Sequence, residues 1–189
     1  MGQFADFVAA SGAARVGVVR SAKEKKKYNP AQDYWKGLRE AIFRGVEHGS
    51  LDDEIRQACD RASASKKANY LACGDAFTAW AADHRLRRAV VPSEPIRIGG
   101  LTIRMSPVMH VDLNGEPWTV RLHLNKGELV RREVESLLAL MRLAFGDRKV
   151  GVLDVRRDAL TELVDISANE RLLIQGEAAA FVAMWEAIS

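Results

Sequence analysis

Polar residues recur at every second position on either side of one tight turn. His110 and Asp112 precede the turn, and Thr119, Arg121 and His123 follow it. Alternate residues of a strand project to the same face, so a hairpin here puts this set on one side of a sheet. An imidazole titrates near neutrality and ligates transition metals, while a guanidinium forks phosphates and carboxylates. With a carboxylate beside them, these groups suit a metal, a phosphate or a proton transfer. The plainer reading is the wetted side of an antiparallel sheet, which is normally polar on one face. One carboxylate and no fixed ligand spacing give no reason to expect a metal, and no residue is assigned as catalytic. No cofactor is expected: G-x-G-x-x-G, G-x-x-x-x-G-K and G-x-S-x-G are absent.

A second group is basic. Lys25, Lys26 and Lys27 run into Tyr28, a pattern that can meet phosphates with a ring beside them to stack on a base. Arg85, Arg87 and Arg88, with Lys66 and Lys67, would extend that surface. The same arginines also suit the negative end of a helix that stops just before them, with no partner needed. Residues 1–90 carry 16 Lys+Arg against 11 Asp+Glu, and residues 91–189 carry 12 against 14. A polyanion would therefore meet the first half rather than the second.

The elements that must position these residues are legible around Asn114-Gly115, the strongest short signal for a two-residue hairpin turn. Leu113 opposite Glu116 sets a register in which Val111 meets Trp118, His110 meets Thr119 and Met109 meets Val120, apolar against apolar and polar against polar. Pro117 then faces Asp112 at a non-hydrogen-bonded pair, where its missing N–H is not needed. A first hairpin precedes it, with Ile96 and Ile98 turning at Gly99-Gly100 into Leu101, Ile103 and Met105. Asn125 to Glu128 reads as a capping box opening a helix, with Val130, Val134, Leu137, Leu138, Met141 and Phe145 on one stripe and Gly146 as its stop. Val150 to Val155 is short, apolar and β-branched, hence a buried strand holding one charge, Asp154.

The first half is helical. Phe4, Phe7 and Val8 mark a short helix ended by Gly12, and Arg15 to Arg20 is undecided between strand and helix. Asn29-Pro30 opens a helix through Trp35, Leu38, Ile42, Phe43 and Val46 that stops at Gly49. Ser50 caps the next, through Ile55 and Cys59, and 65–82 forms another with Tyr70, Cys73, Phe77, Trp80 and Ala81 inward. Its Gly74 weakens the helix by about 1 kcal/mol but permits close approach. Near the end, 159–164 reads as a helical turn and 177–188 as a helix using Phe181, Val182, Met184 and Trp185.

The fold class is therefore α+β: a helical first half packed with a small, mainly antiparallel sheet flanked by helices. Val90 to Pro95, with two prolines, is the linker-like passage, dividing a basic helical region at 1–90 from a β-hairpin, helix and strand region at 91–189, unless the two form one continuous domain. Cys59 and Cys73 read as buried thiols rather than a disulfide framework, which fits a cytoplasmic chain. No apolar run approaches membrane length, so a membrane is not an expected partner.

The stretch VMHVDLNGEPWTVRLHLNKGELVRREVESLLALM followed by KVGVLDVRRD resembles the core of the PD-(D/E)XK nucleases, in particular the RecB-like branch. In that family an acid lies on the strand before the hairpin turn. A (D/E)-x-K follows at the end of the next strand, and a helix carrying a glutamine comes after. Asp112 is the acid on the first strand here. The (D/E)-x-K place is taken by His123-Leu124-Asn125, or by Leu124-Asn125-Lys126, and the glutamine place falls near Glu133 or Glu135. The resemblance thus implies a nuclease-like core with a degenerate catalytic motif, and one carboxylate does not build the usual oxygen-ligand metal site. The expected function is a non-catalytic nucleic-acid-associated protein. The alternatives are a protein–protein interaction or assembly module, with a protein partner or a second copy as its ligand, and a divergent metal-dependent hydrolase.

Overall fold

The structure is a computed structural model and describes residues 2–24, 33–89, 95–146 and 148–188. Lys25, Lys26, Lys27 and the Asn29-Pro30 helix start lie outside the described residues, as does most of the Val90–Pro95 passage.

Helices α1 (Gly2–Ala9), α2 (Ala13–Lys23), α3 (Lys36–His48), α4 (Leu51–Arg61) and α5 (Ala64–Asp83) build the first half. Residues 15–20, undecided in the sequence, belong to α2. Leu38, Ile42 and Val46 give α3 its buried stripe, and Gly49 closes it in the left-handed conformation at φ 70°. Ser50 stands at the N-cap of α4 without the expected side-chain bond; Asp52, Asp53 and Glu54 in its first turn instead complement the positive end of the helix dipole. A Cβ on Gly74 would fall 2.4 Å from Ile55 Cγ2, so α5 crosses α4 at a distance that only glycine allows there.

The rest comprises β1 (Arg87–Arg88), β2 (Ile96–Ile98), β3 (Leu101–Ile103), β4 (Met109–Leu113), β5 (Glu116–His123), α6 (Arg131–Ala144), β6 (Lys149–Asp154), β7 (Ala159–Leu163) and α7 (Ala168–Ala187). Strands β2 and β3 pair by themselves, and the others form one sheet in the order β1-β4-β5-β6-β7. The β4–β5 register is the expected one, Val111 opposite Trp118 and Asp112 opposite Pro117. Strand β6 joins β5 in parallel because α6 carries the chain back across the sheet; the other pairings are antiparallel. The fold is α+β. Among the described residues no helix is long and apolar enough to cross a membrane.

Both faces of the large sheet are covered. Helices α3, α4 and α5 pack on Met109, Val111, Leu113, Trp118 and Val120. On the other side α6, α7 and α1 pack on Val150 and Val152. The hairpin's polar face is therefore not the wetted surface anticipated. Thr119, opposite Val150, is 0% exposed, and His110 meets Phe145 edge-on at 5.0 Å between centroids. The reason lies in α6, whose apolar stripe Val134, Leu138 and Met141 must be buried. The nearest surface is the face to which β6 adds its valines.

Five expectations need correction. Helix α6 starts at Arg131, not near Asn125, because the Asn125 side-chain oxygen Oδ1 accepts a 2.6 Å bond from Trp35 Nε1 and the loop is held against α3. Its end is closed by Arg142, which donates to the Gly146 carbonyl at 2.8 Å; Gly146 does not take a left-handed conformation. Residues 159–163 are a strand, since pairing with β6 outweighs their weak local preference. Helix α7 begins at Ala168, nine residues before the expected start at 177, behind a full Ser167/Glu170 capping box whose S-x-x-E pattern is present in the sequence. Trp185 on that helix, expected inside, is 38% exposed. Cys59 and Cys73 are free and buried, as expected.

Candidate functional site

The two ends of the β4–β5 hairpin hold different chemistry. At the turn end, the Asp112 carboxylate accepts a 2.7 Å bond from the Gly115 N–H. Arg148 donates to the carbonyls of Val111 and Trp118, each at 2.9 Å, and Lys149 pairs with Glu116 at 2.6 Å. Asp112 is thus part of the turn and of the charge field around Arg148, whose pKa burial lowers and Asp112 raises. Its strand partner Pro117 lies six residues before His123, roughly 20 Å along β5. Asp112, His110 and His123 do not converge.

At the open end the chemistry is unspent. Arg121 forms no hydrogen bond or ion pair among the described residues, and its Nη1 is buried without a partner. Burial, and then nearby Arg39, pull its guanidinium below the usual arginine value, with Asp6 opposing. A guanidinium starts so high that it keeps its proton regardless. It opens on a crevice of about 350 Å³ at the carboxyl ends of the parallel strands β5 and β6, lined also by Arg39, Asp33, His123, Trp35 and Asn125. In open α/β sheets ligands bind outside the carboxyl ends of parallel strands, and β5–β6 is the one parallel pair of this sheet among the described residues. Arg39 is paired with Asp33 at 2.7 Å, and His123 Nε2 donates to the Gly127 carbonyl at 2.8 Å.

His110 lies beside a neighbouring recess of about 750 Å³ that Asp33 and Arg39 also border. Its Nδ1 stands 2.9 Å from Thr119 Oγ1, while Nε2 is buried and unpartnered. Burial, and then the charge of Arg148, lower its pKa from the ordinary histidine value. Of the anticipated polar face, then, Arg121 and His123 share the crevice, His110 borders its neighbour, and Asp112 is removed to the turn.

The basic residues are split in the same way. Arg85, Arg87 and Arg88 are exposed, the latter two on edge strand β1, where Arg88 pairs with Glu47 at 2.9 Å. Lys66 and Lys67 stand at the start of α5 and Arg85 beyond its end, roughly 28 Å away at 1.5 Å per residue, so they do not share one patch. Asp154, the buried acid of β6, is committed: it is 3% exposed, pairs with Arg157 at 2.7 Å and accepts from the Arg156 N–H.

Asp33 and Arg39 were not anticipated, and the sequence holds no signal for them. Six positions apart, they do not follow the three- and four-residue spacing of helical neighbours. Among the described residues no three His, Cys, Asp or Glu side chains gather to hold a metal. Comparison with protein-family models and with curated proteins found no match for this chain.

Proposed function

We propose that the protein is a non-catalytic, nucleic-acid-associated protein built on a nuclease-like core. The observation that carries this reading is Arg121, unpaired near the end of β5, two residues before the place that His123 takes in the resemblance and a nuclease of that kind would fill with an acid. Carboxylates there would collect Mg²⁺; a guanidinium repels cations and attracts phosphate. The hairpin–helix–strand order, with β6 parallel to β5, is consistent with the resemblance, and exposed Arg85, Arg87 and Arg88 add positive surface. Retention of the whole chain on single- and double-stranded DNA and RNA tests the reading. Binding that falls linearly on a log–log plot against salt is expected, with no cleavage when Mg²⁺ or Mn²⁺ is added. No retention at low salt would end the proposal, and metal-stimulated cleavage would convert it to a divergent hydrolase.

A second reading, an interaction or assembly module, has its own observation. Strand β7 is an open edge, and Val164, Leu172 and Leu173 near it are exposed. Sedimentation showing a stable dimer with no nucleic-acid binding would favour it.

A further inference from the structure

Charges along the open end of the sheet are paired almost throughout. Arg39 meets Asp33 at 2.7 Å, Lys36 meets Glu40 at 3.6 Å, and Arg88 meets Glu47 at 2.9 Å. A groove that tracks a nucleic-acid backbone needs a row of uncompensated cations. Among the described residues that line the crevice, Arg121 is the one arginine or lysine without an ion pair, held there with a buried N–H aimed at no acceptor. A buried, unpaired charge costs stability unless something pairs it. The group that satisfies a planar fork of N–H donors is an oxyanion with two oxygens in one plane.

We infer that the crevice between Arg39, Arg121 and His123 seats a single phosphate group, which Arg121 forks through two N–H donors. Arg39 stands at its flank with its charge shared by Asp33, and His123 stands at the rim with its ring held by the Gly127 carbonyl. Trp35 is not a stacking platform: Tyr70 stacks on it at 5.7 Å between centroids and Arg156 lies 5.4 Å from its ring centre. The site therefore recognises a phosphate and not a base. This rests on the nucleic-acid reading and narrows it to one phosphate, carried either in the backbone or at a chain end.

The test uses the whole chain, its Arg121→Met variant, and Arg121→Lys, which keeps the charge and loses the fork. Inorganic phosphate is expected to raise the melting temperature of the unaltered protein above that in chloride at equal ionic strength, and to leave Arg121→Met unmoved. Short oligonucleotides with and without a 5′-phosphate are compared by fluorescence anisotropy. Loss of a charge-assisted bond predicts binding about tenfold weaker or more in Arg121→Met, a salt slope smaller by about one, and an intermediate Arg121→Lys. A preference for the 5′-phosphate assigns a terminal group, and equal binding assigns a backbone phosphate. Oligonucleotides that bind unaltered protein and Arg121→Met alike, with no protection by phosphate, overturn the subsite and leave nucleic-acid association standing. Protection by phosphate with no oligonucleotide binding removes that association and leaves the subsite.

Discussion

The turn end and the open end of one hairpin are made from the same two strands, yet Asp112, Glu116, Arg148 and Lys149 at the first are all bonded and Arg121 at the second is not. Arg148 and Arg121 show the contrast most directly. Both are partly buried arginines with lowered pKa values, but Arg148 donates to the Val111 and Trp118 carbonyls while Arg121 donates to nothing described. A chain that satisfies a buried guanidinium gains rigidity; one that leaves it open gives up stability and keeps a binding group. The difference separates a structural end from a site, which residue type alone does not do.

The largest effect expected lies at the structural end. Trp118 is 6% exposed within the α3–α5 core, with Lys149 5.4 Å from its ring centre. Trp118→Ala is expected to cost about 3–5 kcal/mol in denaturant unfolding. A loss below about 1 kcal/mol would mean the turn end does not anchor the sheet.

One substitution made at both arginines gives the sharper test, because the signs should differ. Arg148→Met leaves two carbonyls without their donor and is expected to cost about 1–3 kcal/mol. Arg121→Met removes a charge that nothing described pairs, and is expected to leave stability unchanged or raise it by about 1 kcal/mol. If both variants lost stability equally, Arg121 would be a structural residue and the contrast would collapse.

The smallest effect is a pH dependence at His110. Its folded pKa lies below the ordinary value of 6.5, so the unfolded chain binds the proton first as pH falls. The stability contributed by the neutral, buried ring is complete above 6.5 and is lost as pH drops from there through the lowered folded value. Unfolding free energies measured between pH 8 and about pH 5 should decline in this direction, and the His110→Gln variant should show a shallower decline. An identical slope in the variant would place the titration elsewhere.

Much of the fold can be traced to local signals. Asn114-Gly115 dictates a two-residue turn by its φ > 0 requirement, and with Val111 and Trp118 that alone sets the β4–β5 register. The stripes of α3 and α6 follow from spacing, and the close α4–α5 crossing was foreshadowed by Gly74. Where local preference is weak, as in 159–163, local pattern points to a helical turn and the chain forms a strand, because a strand that short is decided by its neighbour.

The polar set at positions 110, 112, 119, 121 and 123 was determined by the sequence alone, in identity and in face, since period-two projection and the turn leave no other arrangement. Tertiary structure decided which of them is free to act. The apolar stripe of α6 had to be buried, and in settling on that face it closed over Thr119. The return of the chain as β6 made a parallel pair whose carboxyl ends hold the crevice, and α3 brought Arg39 and Asp33 to its side. No pattern along the chain records such meetings, because they are contacts between distant segments and the free energy that selects them belongs to the packed whole.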